Sequence, residues 1–366
     1  MITLEKAMKI VKDKDAFYYK DEVCKGKKFR IFNYRLATYS DFADDTDALE
    51  LRGLTFDLET GNFYLGLHKF FNDGENPFAM IEWDKDDILD VREKLDGSLI
   101  QTFFIKGVLF VKTKGTFKSE QALAAEDFIL NNDNYFNFIY DYSKRGYHIF
   151  FEYVSPFNQV VIPYNKTDLV LTQIRDKNGN YLDYEELKNI AKEHNLSVAK
   201  EYNYTLEELR KLQKTEKGIE GWVVRNKKYP LETQFRKIKT EDYHLKHSLL
   251  TGNAMQENII VGSIIKENID DIISTLQEGT EKRNYLEEVR NKVSHHYDKT
   301  IKELIKLLSF KNSMERKEFA LQYKRHPYFG TLMKSKDEND LEKNLKEAIL
   351  KRTQKLKDTK EFLKNI

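Results

Sequence analysis

The stretch VREKLDGSLIQTFF, residues 91–104, sets Lys94 two residues before Asp96 and three before Gly97, then runs straight into apolar and aromatic residues. A Lys-x-Asp-Gly turn between two strands is, taken alone, as consistent with a solvated charged turn as with a site. An amine attacks an electrophile near neutral pH only where nearby cations or loss of water disfavour its protonated form. The role of Lys94 therefore depends on which charges the rest of the chain brings to it.

A chain of 366 residues has room for about two domains, each able to bury a core. Its 24 Phe and 21 Tyr against 2 Trp, in a chain that is 33% charged, point to aromatic-rich strands in a soluble protein. The single cysteine, Cys24, excludes an internal disulfide and a cysteine-rich zinc site, and suits a reducing cytoplasm. The opening MITLEKAMKIVKDKD spaces its apolar residues as a helix does, unlike a signal peptide, and no run approaches a membrane span. Net charge is only +1, so any phosphate-binding surface has to be a local concentration of Lys and Arg.

Upstream and downstream of Lys94 the pattern reads as α+β. From about residue 28 to 240, segments such as FRIFNY, LRGLTFDLETGNFYLGL, YHIFFEYVSP, DLVLTQIRDKNGNYL and IEGWVVRNKKY are rich in Phe, Tyr, Val, Ile and Thr. Gly-containing turns at Lys106-Gly107 and Asn178-Gly179 join several of them, which implies largely antiparallel sheets. Helical spacing appears within SEQALAAEDFILNN and DYEELKNIAKEHN. After about residue 250 strand signals stop, and apolar residues recur at three- and four-residue spacing among dense Lys and Glu, so residues 248–366 are expected to be a separate helical domain.

Several charged residues stand in unusual places. Glu152 lies inside an apolar strand, where an unpaired carboxylate costs several kcal/mol, so it needs a partner; a buried salt bridge satisfies that need as well as a site does. Glu220 enters an apolar strand just before Gly221, which permits close backbone approach, although a strand-edge glutamate is ordinarily solvated. Lys237 and Lys239 share a strand face by the period of two, either around an anion or as guards of an exposed edge. Arg52 before Gly53, Lys69 against two phenylalanines, and the pair Lys112 and Lys114 add further cations. Arginine among them supplies planar, bidentate phosphate contacts.

In this order the residues resemble the covalent nucleotidyltransferases, which include ATP-dependent DNA ligases, RNA ligases and mRNA capping enzymes. The ordered motifs are KLDG (94–97), FFEYV (150–154), LVLTQIR (169–175), IEGWVV (219–224) and KIK (237–239). Within that superfamily the chain is most similar to the bacteriophage RNA ligase 1 family, through FRIFNYRLATYSDF, ALELRGLTFD, HKFFNDGENPF, KLDGSL, KTKGTFKSEQAL and FEYVSPFNQVVIPY. A helical extension after KIK, where DNA ligases and capping enzymes carry a barrel, fits the same family.

The resemblance implies an α+β protein with an antiparallel-sheet, ATP-grasp-like nucleotidyltransferase domain over 1–247, and an all-α domain over 248–366 that selects the RNA. It implies that Lys94 attacks the α phosphate of ATP to form lysyl-AMP, while Arg52, Lys69, Lys114, Lys237 and Lys239 bind phosphates. Tyr34 and Tyr243 would lie near the triphosphate. Asp96, Glu152, Glu220 and Asp270 would hold Mg2+ through its waters, with Mn2+ able to substitute. Adenine would sit between Val223 and Ile174, with Gly97 and Gly221 giving it clearance. The implied partners are RNA, either single-stranded or a nicked tRNA anticodon loop, and an upstream end-healing polynucleotide kinase/phosphatase. A cytoplasmic, monomeric protein without a membrane partner is expected. The rival readings are a DNA ligase or a capping guanylyltransferase, against which the missing barrel counts, and a noncatalytic RNA-binding relative, which would be expected to lose Lys94, Glu152 or the 237/239 pair.

Overall fold

The computed structural model describes residues 2–85, 87–158, 161–244, 256–274 and 279–366, the side chains of 271 and 274 excepted. The chain divides into two compact units, Met1–Tyr34 with Tyr39–His247, and Arg35–Thr38 with Ser248–Ile366. The expected domain limit between 247 and 248 lies outside the described residues.

In the first unit, strands Phe17–Cys24, Lys27–Tyr34, Thr55–Asp57 and Phe63–Tyr64 pair antiparallel in chain order. A second antiparallel sheet is ordered Asp168–Arg175, His148–Val154, Ser98–Ile105, Val108–Lys112. Alternation along a strand assigns its two faces to different cores. Ile100, Phe104, Ile149 and Phe151 pack with residues of the helices Glu120–Leu130, Asp133–Lys144 and Tyr184–Glu193. Phe103 and Ile105 face the other way and meet Phe29, Ile31, Phe110 and Phe117, so the first two sheets are cemented largely by phenylalanine. That cluster accounts for part of the unusual Phe content.

A third sheet is ordered Glu201–Tyr202, Asp90–Lys94, Gly221–Arg225, Phe235–Lys239, Phe71–Asn72; only its last pair is parallel. Val91, Trp222, Val224 and Ile238 bury one face against Trp83 and Leu209. The period of two then leaves Lys94, Gly221, Val223, Lys237 and Lys239 together on the opposite face.

In the second unit the described residues from 256 onward are helical, built around Glu281–Ser313, a helix of 33 residues. Glu257–Ile265, Glu338–Arg352 and Leu356–Lys364 pack on it through Ile260, Ile264, Leu304, Leu345 and Phe362, among others. Residues 35–38 belong to this unit, with Leu36 packed on its core and Arg35 donating to Glu342 at 2.9 Å. The fold is therefore mixed α+β, with antiparallel sheets followed by a helical region.

The ring centroids of Phe110 and Phe117 lie 5.2 and 4.9 Å from that of the fully buried Phe29. Phe29→Ala should cost about 3–5 kcal/mol of stability, read as a shift in the urea midpoint; a loss below about 1 kcal/mol would mean that the two sheets do not depend on this cluster.

Candidate active site

Three neighbouring strands meet at Gly221. Across the third sheet Gly221 pairs with Lys94 on one side and with Lys239 on the other. Neighbouring strands run about 4.8 Å apart, so the two lysines flank one backbone position. Glu220, directly before Gly221, reaches both: Lys94 Nζ donates to Oε2 at 2.6 Å, and Lys239 Nζ lies 2.9 Å from Oε1. Burial alone would raise the Glu220 carboxyl, but Lys239 and Lys94 outweigh it and hold its pKa below the ordinary value. A Cβ at residue 221 would sit 2.0 Å from the Ile238 carbonyl oxygen, and φ is +147°, so only glycine fits between the lysine strands.

Glu152 adjoins this bridge. Alternation puts it on the face of its strand away from Phe151 and the helices. Burial, against the pull of Lys94 and reinforced by Glu220, lifts its pKa to about 7, while Arg52 and a hydrogen bond from the Gly97 backbone act in the lowering direction. Arg52 is itself anchored by donation to the Leu67 carbonyl at 3.1 Å.

A second group of cations gathers on Tyr34. Lys69 Nζ is 5.9 Å and Lys114 Nζ 5.3 Å from the centre of its ring. Lys237 lies on the face of Lys239, with Nζ 5.9 Å from the Phe70 ring. Val223, in register between Arg92 and Lys237, is half-buried on that face.

Two expectations need correction, those for Ile174 and Asp96. Ile174 does not line the site: a bulge between Leu171 and Gln173 changes the phase of its strand, sets Ile174 opposite Ile149, and buries it in the helix-side core. Gly97 is glycine because the neighbouring strand crowds it; a Cβ there would lie 2.4 Å from the Tyr153 carbonyl and 3.1 Å from Glu152 Cγ. Asp96 turns to the protein, accepting from the Val161 and Ile162 backbones at 2.7 Å each and from the Tyr243 hydroxyl at 3.0 Å. Asp270 belongs to the second unit, where it accepts from Arg290 at 2.8 Å. Among the described residues no three acidic, histidine or cysteine side chains are arranged to hold a metal ion, so these four acids form no direct ligand cluster.

Two residues absent from the expected site prove close to it. Lys112 is fully buried and donates to the Gly53 carbonyl at 3.1 Å and the Lys114 carbonyl at 3.3 Å, which ties together the turns that carry Arg52 and Lys114. Burial lowers its pKa to about 7. Its alternation with Lys114 was visible in VKTKG; its burial was not. Tyr164 accepts from the Asp96 backbone N–H at 2.9 Å and ends a segment whose apolar run gave no hint of that contact.

Because the folded-state pKa of Glu152 is raised above its unfolded value, the native state binds the extra proton between about pH 4.5 and 7, and stability falls as pH rises through that window. Glu152→Gln removes this dependence. The variant should gain on the wild type in thermal unfolding between pH 5 and 7.5, by at most about 3 kcal/mol, and hold a constant difference above it. A difference that does not change with pH would place the carboxylate in water.

The family model described as RNA ligase matches residues 50–246. A protein of Thermovibrio ammonificans named "Putative RNA ligase" is 31% identical over 282 residues, which are 75% of this chain and 72% of that protein. Among solved structures, an archaeal ATP-dependent RNA ligase in its form 1 is similar at 15% identity and a TM-score of 0.48, over 82% of this chain and 79% of that one. An Aquifex aeolicus chain described as "Putative ATP-dependent DNA ligase" is similar at 17% identity and a TM-score of 0.48, over 88% of each chain. The family match spans more than half of the chain, and the Thermovibrio sequence extends it: the chain belongs to the RNA ligase family.

Proposed function

We propose that the protein is an ATP-dependent RNA ligase whose nucleophile is Lys94. The observation that carries this reading is the sharing of one buried carboxylate, Glu220, by Lys94 and Lys239 across Gly221. Attack requires the amine at a fixed place, and the bridge holds Lys94 Nζ beside Gly221, with a second ammonium on the same carboxylate. Lys94 then forms an N–P bond to the α phosphorus of ATP, the bond to the bridging oxygen breaks, and pyrophosphate leaves with the electron pair. Its proton passes to solvent. An RNA 5′-phosphate next displaces lysine to take up AMP, and a 3′-hydroxyl displaces AMP to close the strand.

Lys239, Lys237 and Arg52 supply fixed positive charge where negative charge develops on the phosphates. The Tyr34 group of Lys69 and Lys114 would hold the far phosphates. Glu152 and Glu220 are hard oxygen donors beside Lys94; together they fit a hydrated divalent ion held through its waters, Mg2+ or Mn2+. Such an ion would supply charge neutralisation at the phosphates. Asp96 positions the turn after Lys94 instead of meeting the ion. In this reading the unit ending at His247 performs adenylylation and the helical unit selects RNA, with a broken tRNA, its ends prepared by a kinase/phosphatase, as the natural substrate.

Lys94→Ala should form no acid-labile, alkali-stable adduct with labelled ATP, yet still seal RNA adenylated beforehand. Adduct formation by that variant would remove Lys94 as the nucleophile. Lys239→Ala should slow adduct formation by roughly 100- to 1,000-fold; an unchanged rate would leave Lys239 as a purely structural partner of Glu220.

A further inference from the structure

The loop that follows the Glu152 strand is held around the Lys94 turn from both ends. Asn158 donates to Ser98 Oγ at 3.0 Å and to the Tyr153 carbonyl at 3.2 Å, and Gln121 donates to Asn158 Oδ1 at 3.4 Å. Further on, the Val161 and Ile162 N–H groups close on Asp96. Ser98 and Asp96 flank Gly97, so the loop is fastened on either side of the Lys-Leu-Asp-Gly turn. Its first four residues, Ser155-Pro156-Phe157-Asn158, form a tight turn closed by Asn158 N–H to the Ser155 carbonyl at 3.0 Å. Ser155 is fully buried, takes the Phe157 N–H on its hydroxyl at 3.2 Å, and meets Thr167 Oγ1 at 2.9 Å. Proline suits the second position of such a turn.

At the tip of this fixed turn Phe157 is 95% exposed, more than any other large hydrophobic side chain among the described residues. A single exposed apolar residue is ordinarily unremarkable. This one differs in its setting: an aromatic ring is held in water by a hydrogen-bonded turn, one loop away from the proposed nucleophile. Lys166, 80% exposed and paired with Asp168, and exposed Lys118 stand near its two anchors in the chain. Unpaired RNA bases offer a π face to any aromatic side chain within reach, and the stacking is sequence-tolerant. We propose that Phe157 is a stacking platform for an unpaired base of the RNA end undergoing ligation. The proposal rests on the ligase reading and adds a binding subsite to it.

The test uses the full-length protein and single-stranded RNA carrying 2-aminopurine within about three nucleotides of either the 5′-phosphate or the 3′-hydroxyl. The wild type should quench the probe in one of the two RNAs, and which one identifies the strand that stacks. Phe157→Ala should abolish the quench and weaken RNA binding by about fivefold or more, with unchanged adduct formation from ATP. Phe157→Trp should restore both, and Phe157→Leu, which keeps apolar area without a ring, neither. Equal quenching and affinity in wild type and Phe157→Ala would overturn the proposal, as would full recovery in Phe157→Leu. If the wild type forms no adduct with ATP, it is the ligase reading that fails, and the quench still decides whether Phe157 meets a base.

Discussion

One carboxylate shared between two lysines organises the first unit. Glu220 can bridge Lys94 and Lys239 because antiparallel register on both sides of Gly221 brings each lysine opposite the same residue, and because residue 221 has no Cβ to push the strands apart. Moving either strand by one residue would turn its lysine into the Trp222 core. The apolar face of Val91, Trp222, Val224 and Ile238 thus does more than stabilise the sheet: it fixes the phase that presents the cations on the other side.

Around that bridge the site is built by tethering rather than by accumulation of charge. Asp96 accepts from two buried backbone N–H groups, hydrogen bonds strengthened by the charge on the carboxylate. The result is a turn after Lys94 whose position is locked to the 161–162 segment and to Tyr243. Lys112 acts in the same way on the opposite side, binding the carbonyls of Gly53 and Lys114. The turns that carry Arg52 and Lys114 are thereby held through backbone carbonyls, with no acidic side chain in the tie.

What the sequence made legible follows from this division. Lys94, Glu220, Gly221 and Lys239 were readable because a strand's period of two and a glycine next to a charge are local signals, and motif order then joined them. Glu152 was readable as an acid in an apolar strand, though not its proton affinity, which depends on burial and on Glu220 across the site. Ile174 misled because a bulge two residues upstream changes its face, and a bulge leaves no mark in DLVLTQIR. Asp96 misled for a different reason: its partners lie 65 and 66 residues away, in a segment whose backbone donors carry no side-chain signature. Asp270 was drawn to the site by motif likeness, and its ion pair with Arg290, 20 residues on, left no local signal.

In the proposed function, the register across Gly221 makes one lysine, Lys94, the amine that receives AMP. Peptide mapping by mass spectrometry after incubation of the intact protein with ATP and a divalent cation addresses it directly. AMP should be found on the peptide containing Lys94 and on no other lysine. AMP found on Lys239, on Lys112 or at several lysines indifferently would contradict it: Lys239 shares Gly221 and Glu220 with Lys94, but not the Lys-Leu-Asp-Gly turn whose glycine adjoins Glu152.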